Sequence, residues 1–98
     1  MNLDGEIVDT IICISKKYKS INKVVLFGSR ARGDNELKSD IDLAVYADCD
    51  IFEFIEEIEN TSPTLLEFDF SNMRRIEDEL FIEQVEKEGV ILYEKYRV

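Results

Sequence analysis

The chain has 98 residues, of which 45% are apolar, so it can form one hydrophobic core and we expect a single domain over residues 1–98. The net charge of −10 arises in the second half, because residues 48–98 carry fifteen acidic and five basic side chains while residues 1–47 carry seven of each. Such a surface repels phosphate backbones and argues against stable binding of duplex nucleic acid. It is either a solvated acidic face or a docking face for a basic protein.

Histidine is absent from the chain. This excludes Ser-His and Cys-His nucleophile pairs and His-rich zinc sites, so carboxylates, hydroxyls, arginines and bound metal must carry any catalysis. Cys13 and Cys49 lack metal-ligand spacing, and we expect both to be reduced thiols.

No apolar run reaches the roughly 18 residues that span a bilayer, and the first residues lack the basic start of a secretory signal. We therefore expect a cytoplasmic protein without a membrane partner.

The first half of the chain predicts a helix followed by two strands. Apolar residues recur at helical spacing over residues 4–19, and lysines near the end suit the negative end of the helix dipole. Residues 24–27 are a short β-branched and aromatic run that ends at Gly28, which is typical of a buried strand. Residues 41–46 alternate between apolar and polar, which indicates a strand with one apolar face.

The second half predicts a helix, a strand, a helix and a last strand. Residues 51–60 follow helical spacing, residues 65–70 alternate as a strand does, and residues 90–93 form a short apolar run. Between them, residues 73–87 are predicted to be helical, with Ser71 or Asn72 as cap, Gly89 beyond the end, and Ile76, Leu80, Phe81 and Val85 facing inward. The order α-β-turn-β-α-β-α-β predicts a small α/β (α+β) fold, with helices packed on a mixed sheet.

A turn suited to phosphate follows the first predicted strand. Gly28 lacks a Cβ and lets backbone N–H groups approach an anion closely, and Ser29 adds a hydroxyl donor. A helix beginning there would add a positive dipole end, although Gly and Ser also occupy ordinary turns. The turn differs from a Walker A loop because no Gly-Lys-Ser/Thr follows it.

Three carboxylates can converge beside this turn. Asp40 and Asp42 lie two residues apart on a predicted strand, so their backbones are roughly 6.6 Å apart and both side chains project from one face. They suit a pair of Mg²⁺ ions about 4 Å apart, or else they belong to a solvent-exposed polar strand face. Asp69 supplies a third ligand if its strand neighbours that of residues 41–46. Glu67 has the same facing, so the pattern leaves both as candidates.

These motifs together resemble the signature of a known superfamily. The order Gly-Ser-x-Ala-Arg-Gly at residues 28–33, Ser-Asp-x-Asp-Leu at residues 39–43 and an Asp on a later strand resembles the nucleotidyltransferases that include DNA polymerase beta and the aminoglycoside nucleotidyltransferases. In length the chain is similar to the minimal nucleotidyltransferase (MNT) domain, and the resemblance extends from Val24 to Tyr93. It implies a nucleotidyltransferase that uses ATP as substrate and two Mg²⁺ ions as cofactors.

The resemblance also implies roles for the residues that match the motif. Gly28 and Ser29 would hold the triphosphate, and Asp40 and Asp42 would ligate both metal ions. Asp69 would ligate the catalytic metal and help to deprotonate the acceptor hydroxyl.

Three further motif residues have less definite roles. Arg32 either pairs with phosphate or fixes the turn through a salt bridge to a carboxylate. Ser39 borders the aspartates, where it would orient the loop and the nucleotide. Arg30 matches a variable position of the motif, and we expect it at the surface.

A chain of 98 residues has no room for the additional helical domain with which aminoglycoside-modifying relatives bind their acceptor. MNT domains are similar in this respect, and they commonly pair with a HEPN-domain ribonuclease toxin as its antitoxin. The resemblance thus implies transfer of AMP to a Tyr hydroxyl of such a toxin. Two alternatives are an antitoxin that neutralises the toxin by binding alone, and a nucleotidyltransferase that modifies a small molecule or an RNA end.

Overall fold

The computed structural model describes residues 1–96, which form four helices and four strands. In chain order these are α1 (Gly5–Lys17), β1 (Ile21–Phe27), α2 (Ser29–Arg32), β2 (Ile41–Ala47), α3 (Phe52–Thr61), β3 (Phe68–Asn72), α4 (Glu79–Glu88) and β4 (Val90–Glu94). The order and types of the elements agree with the sequence prediction, and the predicted turn after β1 contains the short helix α2. The α+β fold class is confirmed.

The strands form one mixed sheet in the order β3-β2-β1-β4. β1 is antiparallel to both β2 and β4, whereas β2 and β3 are parallel and are connected by α3. In this register Phe27 at the end of β1 lies opposite Asp42, and Asp42 lies opposite Asp69. The end of β1 and the beginnings of β2 and β3 therefore meet at one end of the sheet.

Helices cover both faces of the sheet because its strands alternate two sets of apolar side chains. The larger core lies under α1 and α3, and its fully buried residues include Ile11, Val24, Leu26, Ile41, Leu43, Val45, Phe54 and Ile58. Burying each such side chain contributes about 1.5–3 kcal/mol. The smaller core lies under α4, where Val25, Ala44, Met73 and Val85 are buried and Phe27 packs edge-on against Phe81 at 5.5 Å. The face under α4 is the one that carries Asp42.

The first two strands are longer than predicted. β1 begins at Ile21 rather than at residue 24, because Ile21 is buried and pairs with Ala47 although two polar residues follow it. β2 extends to Ala47 because Ala47 pairs with Ile21. The apolar run that predicted β1 begins only after the polar residues 22 and 23, so the sequence pattern did not include Ile21.

The third strand begins three residues later and ends two residues later than predicted. It was expected over residues 65–70 and lies at Phe68–Asn72. The hydroxyl of Thr64 accepts a hydrogen bond from the N–H of Leu66 at 3.0 Å, which forms a local turn before the strand. Leu65 is fully exposed as a result.

The last helix begins later than predicted. Its N-cap is Asp78, whose side chain accepts hydrogen bonds from the N–H groups of Leu80 and Phe81 at 3.0 and 3.3 Å. The predicted cap Asn72 instead closes a turn by accepting from the N–H of Arg74 at 3.1 Å. The prediction that Leu80 faces inward is also wrong, because its side chain is 79% exposed in the first turn of the helix.

Cys13 and Cys49 are both free and exposed. Among the helices of residues 1–96, none is long and apolar enough to cross a membrane.

Candidate active site

At Gly28 the backbone passes close to the carboxylate of Asp42. The φ of +75° and ψ of −156° of Gly28 fall in a region that only glycine adopts readily. A Cβ built at this position would lie 2.4 Å from Oδ2 of Asp42, which is far inside van der Waals contact. The short helix α2 begins at the next residue, Ser29. The turn therefore brings a helix start directly against an acidic side chain.

Asp42 and Asp69 lie side by side on neighbouring strands. They are partners in the parallel register of β2 and β3, so both side chains project from the face under α4. Asp42 is half-buried and Asp69 is exposed. Burial raises the pKa of the Asp42 carboxyl above its usual range, and the negative charges of Asp69 and Asp40 raise this pKa further. A bound cation would relieve this repulsion.

Asp40 is exposed and immediately precedes β2 rather than lying within it as expected. Its charge still contributes to the raised pKa of Asp42, so the three aspartates belong to one electrostatic cluster. Glu67 also lies outside its strand, and its carbonyl accepts a hydrogen bond from the N–H of Ile41 at 2.9 Å. The carboxylate in register with Asp42 is thus that of Asp69 rather than that of Glu67.

The donor set fits Mg²⁺. No three His, Cys, Asp or Glu side chains within residues 1–96 are grouped closely enough to hold a metal ion by themselves. Mg²⁺ is commonly bound through one or two carboxylates, with phosphate oxygens and waters completing its octahedron. Adjacent carboxylates beside a glycine turn offer such a partial set, made of hard oxygen ligands alone.

Arg32 connects the turn to the end of α4. Its Nε donates to Asp34 at 3.0 Å and its Nη1 donates to Glu88 at 2.9 Å, and both ion pairs are partly exposed. The positive charge of Arg32 also lowers the pKa of Asp42, against the larger effects that raise it. Of the two predicted roles, the salt bridge is present in the structure. Phosphate binding by Arg32 stays a prediction.

The loop before the aspartates is closed by its own polar groups. Oγ of Ser39 accepts a hydrogen bond from the N–H of Glu36 at 2.9 Å, in agreement with the expectation that Ser39 orients this loop. The expectation that Arg30 lies at the surface is wrong, because this residue is only 6% exposed. Its guanidinium donates to three backbone carbonyls, among them that of Ser39. A four-residue helix has too little periodicity for the sequence to show which side of it is buried.

The mixed sheet sets Asp42 and Asp69 beside the Gly28-Ser29 turn. Residues 9–97 match the family model described as "Polymerase beta, Nucleotidyltransferase". The chain belongs to this family. The resemblance seen in the sequence motifs is confirmed.

One curated relative comes from Methanocaldococcus jannaschii and is named "Putative protein adenylyltransferase MJ0604". It is 37% identical over 59 residues, which make up 59% of this chain and 58% of the relative. The chain thus spans little more than half the length of the relative that it matches.

Solved structures share the fold. A crystal structure of a toxin-antitoxin with AMP-PNP is 25% identical, with a TM-score of 0.72 over 91% of this chain and 74% of that chain. A mutant of the toxin-antitoxin MntA-HpeT is 22% identical with the same TM-score and the same coverage. A structure from Sulfolobus solfataricus described as "a putative nucleotidyltransferase" is 17% identical, with a TM-score of 0.51 over 99% of this chain and 95% of that chain. The last two likenesses concern the fold alone.

Proposed function

We propose that this protein transfers AMP from ATP to a Tyr hydroxyl of a HEPN-domain toxin and acts as the antitoxin of that toxin. The observation that carries the proposal is the register of Asp42 with Asp69, directly beside the Gly28 turn. The partner is suggested by relatives, since similar solved structures are toxin-antitoxins and the curated relative is named a protein adenylyltransferase. We further propose that residues 1–98 act as one domain, in the cytoplasm, where ATP is available.

The proposed roles divide the site into a phosphate side and a carboxylate side. Gly28 and Ser29 bind the triphosphate, whose negative charge suits the start of α2. Asp40, Asp42 and Asp69 would hold two Mg²⁺ ions, which when bound lower the pKa of the acceptor hydroxyl and neutralise charge on the triphosphate.

The chemistry is a substitution at the α-phosphorus of ATP. The Tyr oxygen forms a bond to this phosphorus, the bond to the bridging oxygen of pyrophosphate breaks, and pyrophosphate leaves with that oxygen. The hydroxyl proton passes to the carboxylate of Asp69, which is exposed and can release it to water. The product is an AMP phosphodiester on the tyrosine.

The test uses the chain co-expressed with its toxin. We expect mass spectrometry to find AMP on a toxin tyrosine, and ATP labelled at the α-phosphate to label the toxin only when Mg²⁺ is present. Asp42→Asn and Asp69→Asn should each abolish the labelling. Asp9→Asn, which removes an exposed carboxylate on α1, is the matched control and should retain it.

Two results would redirect the assignment. Full neutralisation of the toxin by Asp42→Asn would indicate an antitoxin that acts by binding alone. Transfer of the label to RNA or to a small molecule, with an unmodified toxin, would indicate a different acceptor.

A further inference from the structure

Arg30 lies at the centre of the hydrogen bonds that hold the loop before the candidate aspartates. Its Nε donates to the carbonyl of Ser39 at 3.0 Å, and its Nη2 donates to the carbonyl of Leu37 at 3.1 Å. Its Nη1 donates to a third carbonyl, that of Asn2, at 3.2 Å. One buried side chain thus joins helix α2 to the segment before α1 and to the loop of residues 33–40.

Asn2 strengthens the same arrangement from the other side. Its N–H donates to the carbonyl of Arg30 at 2.7 Å, and its side-chain amide donates to Oδ1 of Asn35 in the loop at 3.1 Å. We call the set formed by Asn2, Arg30, Asn35, Leu37 and Ser39 the Arg30 clamp. It ties the segment before α1, helix α2 and the loop of residues 33–40 to one another.

Stability alone does not explain a charge at this position. Arg30 makes no ion pair within residues 1–96, and burying a charged group without a counter-ion is costly. Its hydrogen bonds offset this cost, but a well-packed apolar residue often stabilises a buried position at least as well. What an apolar side chain cannot provide is a planar fork that fixes three acceptors in one geometry.

Apart from Asn2, the Arg30 clamp lies between the phosphate turn and the candidate aspartates in the chain. Arg30 directly follows Ser29 of the phosphate turn, and its acceptor Ser39 directly precedes Asp40. We propose that Arg30 is a positioning residue that fixes the distance between the phosphate turn and the aspartates. This inference rests on the proposed function, since it assigns the turn to ATP and the aspartates to metal.

The experiment compares Arg30→Lys and Arg30→Gln with the wild-type chain. Hydrogen–deuterium exchange of residues 34–40 should become about tenfold faster or more in both variants, while exchange in the β1 core stays unchanged. At a temperature where each variant is folded, kcat for AMP transfer should fall about 10- to 100-fold, because catalysis is sensitive to small displacements of reacting groups. The Mg²⁺ concentration for half-maximal activity should rise as well.

Arg74→Gln is the matched control. Arg74 is exposed, and its side chain makes no hydrogen bond or ion pair within the described residues. Asn2→Pro is a second variant, which removes both the N–H donor to Arg30 and the side-chain donor to Asn35 while leaving the guanidinium in place. It should also accelerate exchange in the loop, and it keeps the test open if the Arg30 variants do not fold.

Two outcomes would overturn the inference. One is a folded Arg30→Gln variant whose loop exchanges as slowly as in the wild type. The other is faster loop exchange with unchanged kcat and an unchanged Mg²⁺ requirement, which would reduce Arg30 to a structural role.

If the wild-type chain transfers no AMP at all, the proposed function fails separately. Loop exchange and binding of a fluorescent ATP analogue then decide whether the clamp positions a nucleotide site.

Discussion

Gly28 is the residue at which the backbone and the site depend most directly on each other. Replacement by Ala adds a Cβ that would collide with the Asp42 carboxylate, in a conformation that only glycine adopts readily. We expect Gly28→Ala to lower the free energy of unfolding by about 1–3 kcal/mol and to abolish AMP transfer. Urea denaturation and labelling of the toxin measure the two effects.

Gly33→Ala separates backbone strain from collision. Gly33 also has a positive φ, of +90°, but a Cβ there would have no heavy atom within 4 Å. This variant should lose stability by backbone strain alone, about 1–2 kcal/mol, and retain activity. Equal loss of activity in both variants would contradict the importance of the contact between Gly28 and Asp42.

Asp42 should reduce stability while it supports function. Burial raises its pKa in the folded chain, and Asp69 and Asp40 raise it further, so the ionised form is less favourable in the folded state than in the unfolded state. The neutral isostere in Asp42→Asn should therefore raise the melting temperature near about pH 7. As the pH falls through the raised pKa of Asp42 the advantage of the variant should shrink, and it should disappear below about pH 3, where the carboxyl is protonated in both states.

Thermal unfolding across pH checks this expectation, with Asp9→Asn controlling for the loss of one negative charge. Mg²⁺ with ATP should raise the melting temperature of the wild type more than that of Asp42→Asn, because bound cations relieve the repulsion. A variant that is less stable than the wild type at neutral pH would show that the Asp42 carboxylate is satisfied without metal.

The residues of the site were predictable to different degrees. Gly28, Asp42 and Asp69 could be chosen as candidates because their motif and alternation depend on local spacing, which sequence records directly. Arg30 was misassigned because its burial depends on contacts with residues 2, 37 and 39, which no local pattern encodes. The choice between Asp69 and Glu67 likewise needed the register of two strands.

At the scale of single elements, α4 depends on its cap. Asp78 accepts two N–H groups at the helix start, so Asp78→Ala should lower the free energy of unfolding by about 1 kcal/mol. Asp78→Asn preserves an acceptor oxygen and should cost much less. Urea denaturation of both variants, with the slope checked for two-state behaviour, measures the difference. Equal destabilisation would indicate that the charge, rather than the capping geometry, stabilises α4.

The boundaries of β3 and α4 were the least predictable parts of the fold. Residues 65–67 alternate as a strand does, and Asn72 is as good a cap residue as Asp78, so local preference alone could not separate the candidates. Packing determines where α4 begins, because Met73 is buried under α4 and the chain turns there before the helix begins. The alternative caps were both real hydrogen-bond acceptors, but only one begins a helix.

At the scale of the whole molecule, the sheet order assembles the site from distant segments. The types of seven of the eight elements were predictable from periodicity, since each apolar pattern matches a helix or a strand. The four-residue α2 is too short to show a period. The position of β3 beside β2 follows from a parallel crossover through α3, and periodicity carries no information about such pairing. Without that pairing Asp69 would be only an outward residue of an alternating strand, with no connection to Asp42.

The charge of the whole molecule predicts how the chain meets its proposed toxin. Fifteen acidic side chains in residues 48–98 create a negative potential, which accelerates encounters with a basic partner and is screened by salt. We expect the association rate constant to fall about tenfold or more between about 0.05 M and about 0.5 M salt. Stopped-flow measurement with the purified toxin gives this dependence. Charge reversal at exposed Glu53 and Glu56 of α3 should reduce the rate constant at low salt.

Charge reversal at Glu6 and Asp9 of α1 is the matched control, since it changes the net charge equally in the half of the chain that carries no excess of acid. Its effect on the rate constant should be smaller, because steering depends on where charge lies as well as on its total. Equal effects of the two double variants would mean that net charge, and not the acidic second half, governs association. A rate constant that is independent of salt would mean that docking relies on apolar contacts, for which the exposed Leu37, Leu65 and Leu80 would be the first residues to substitute.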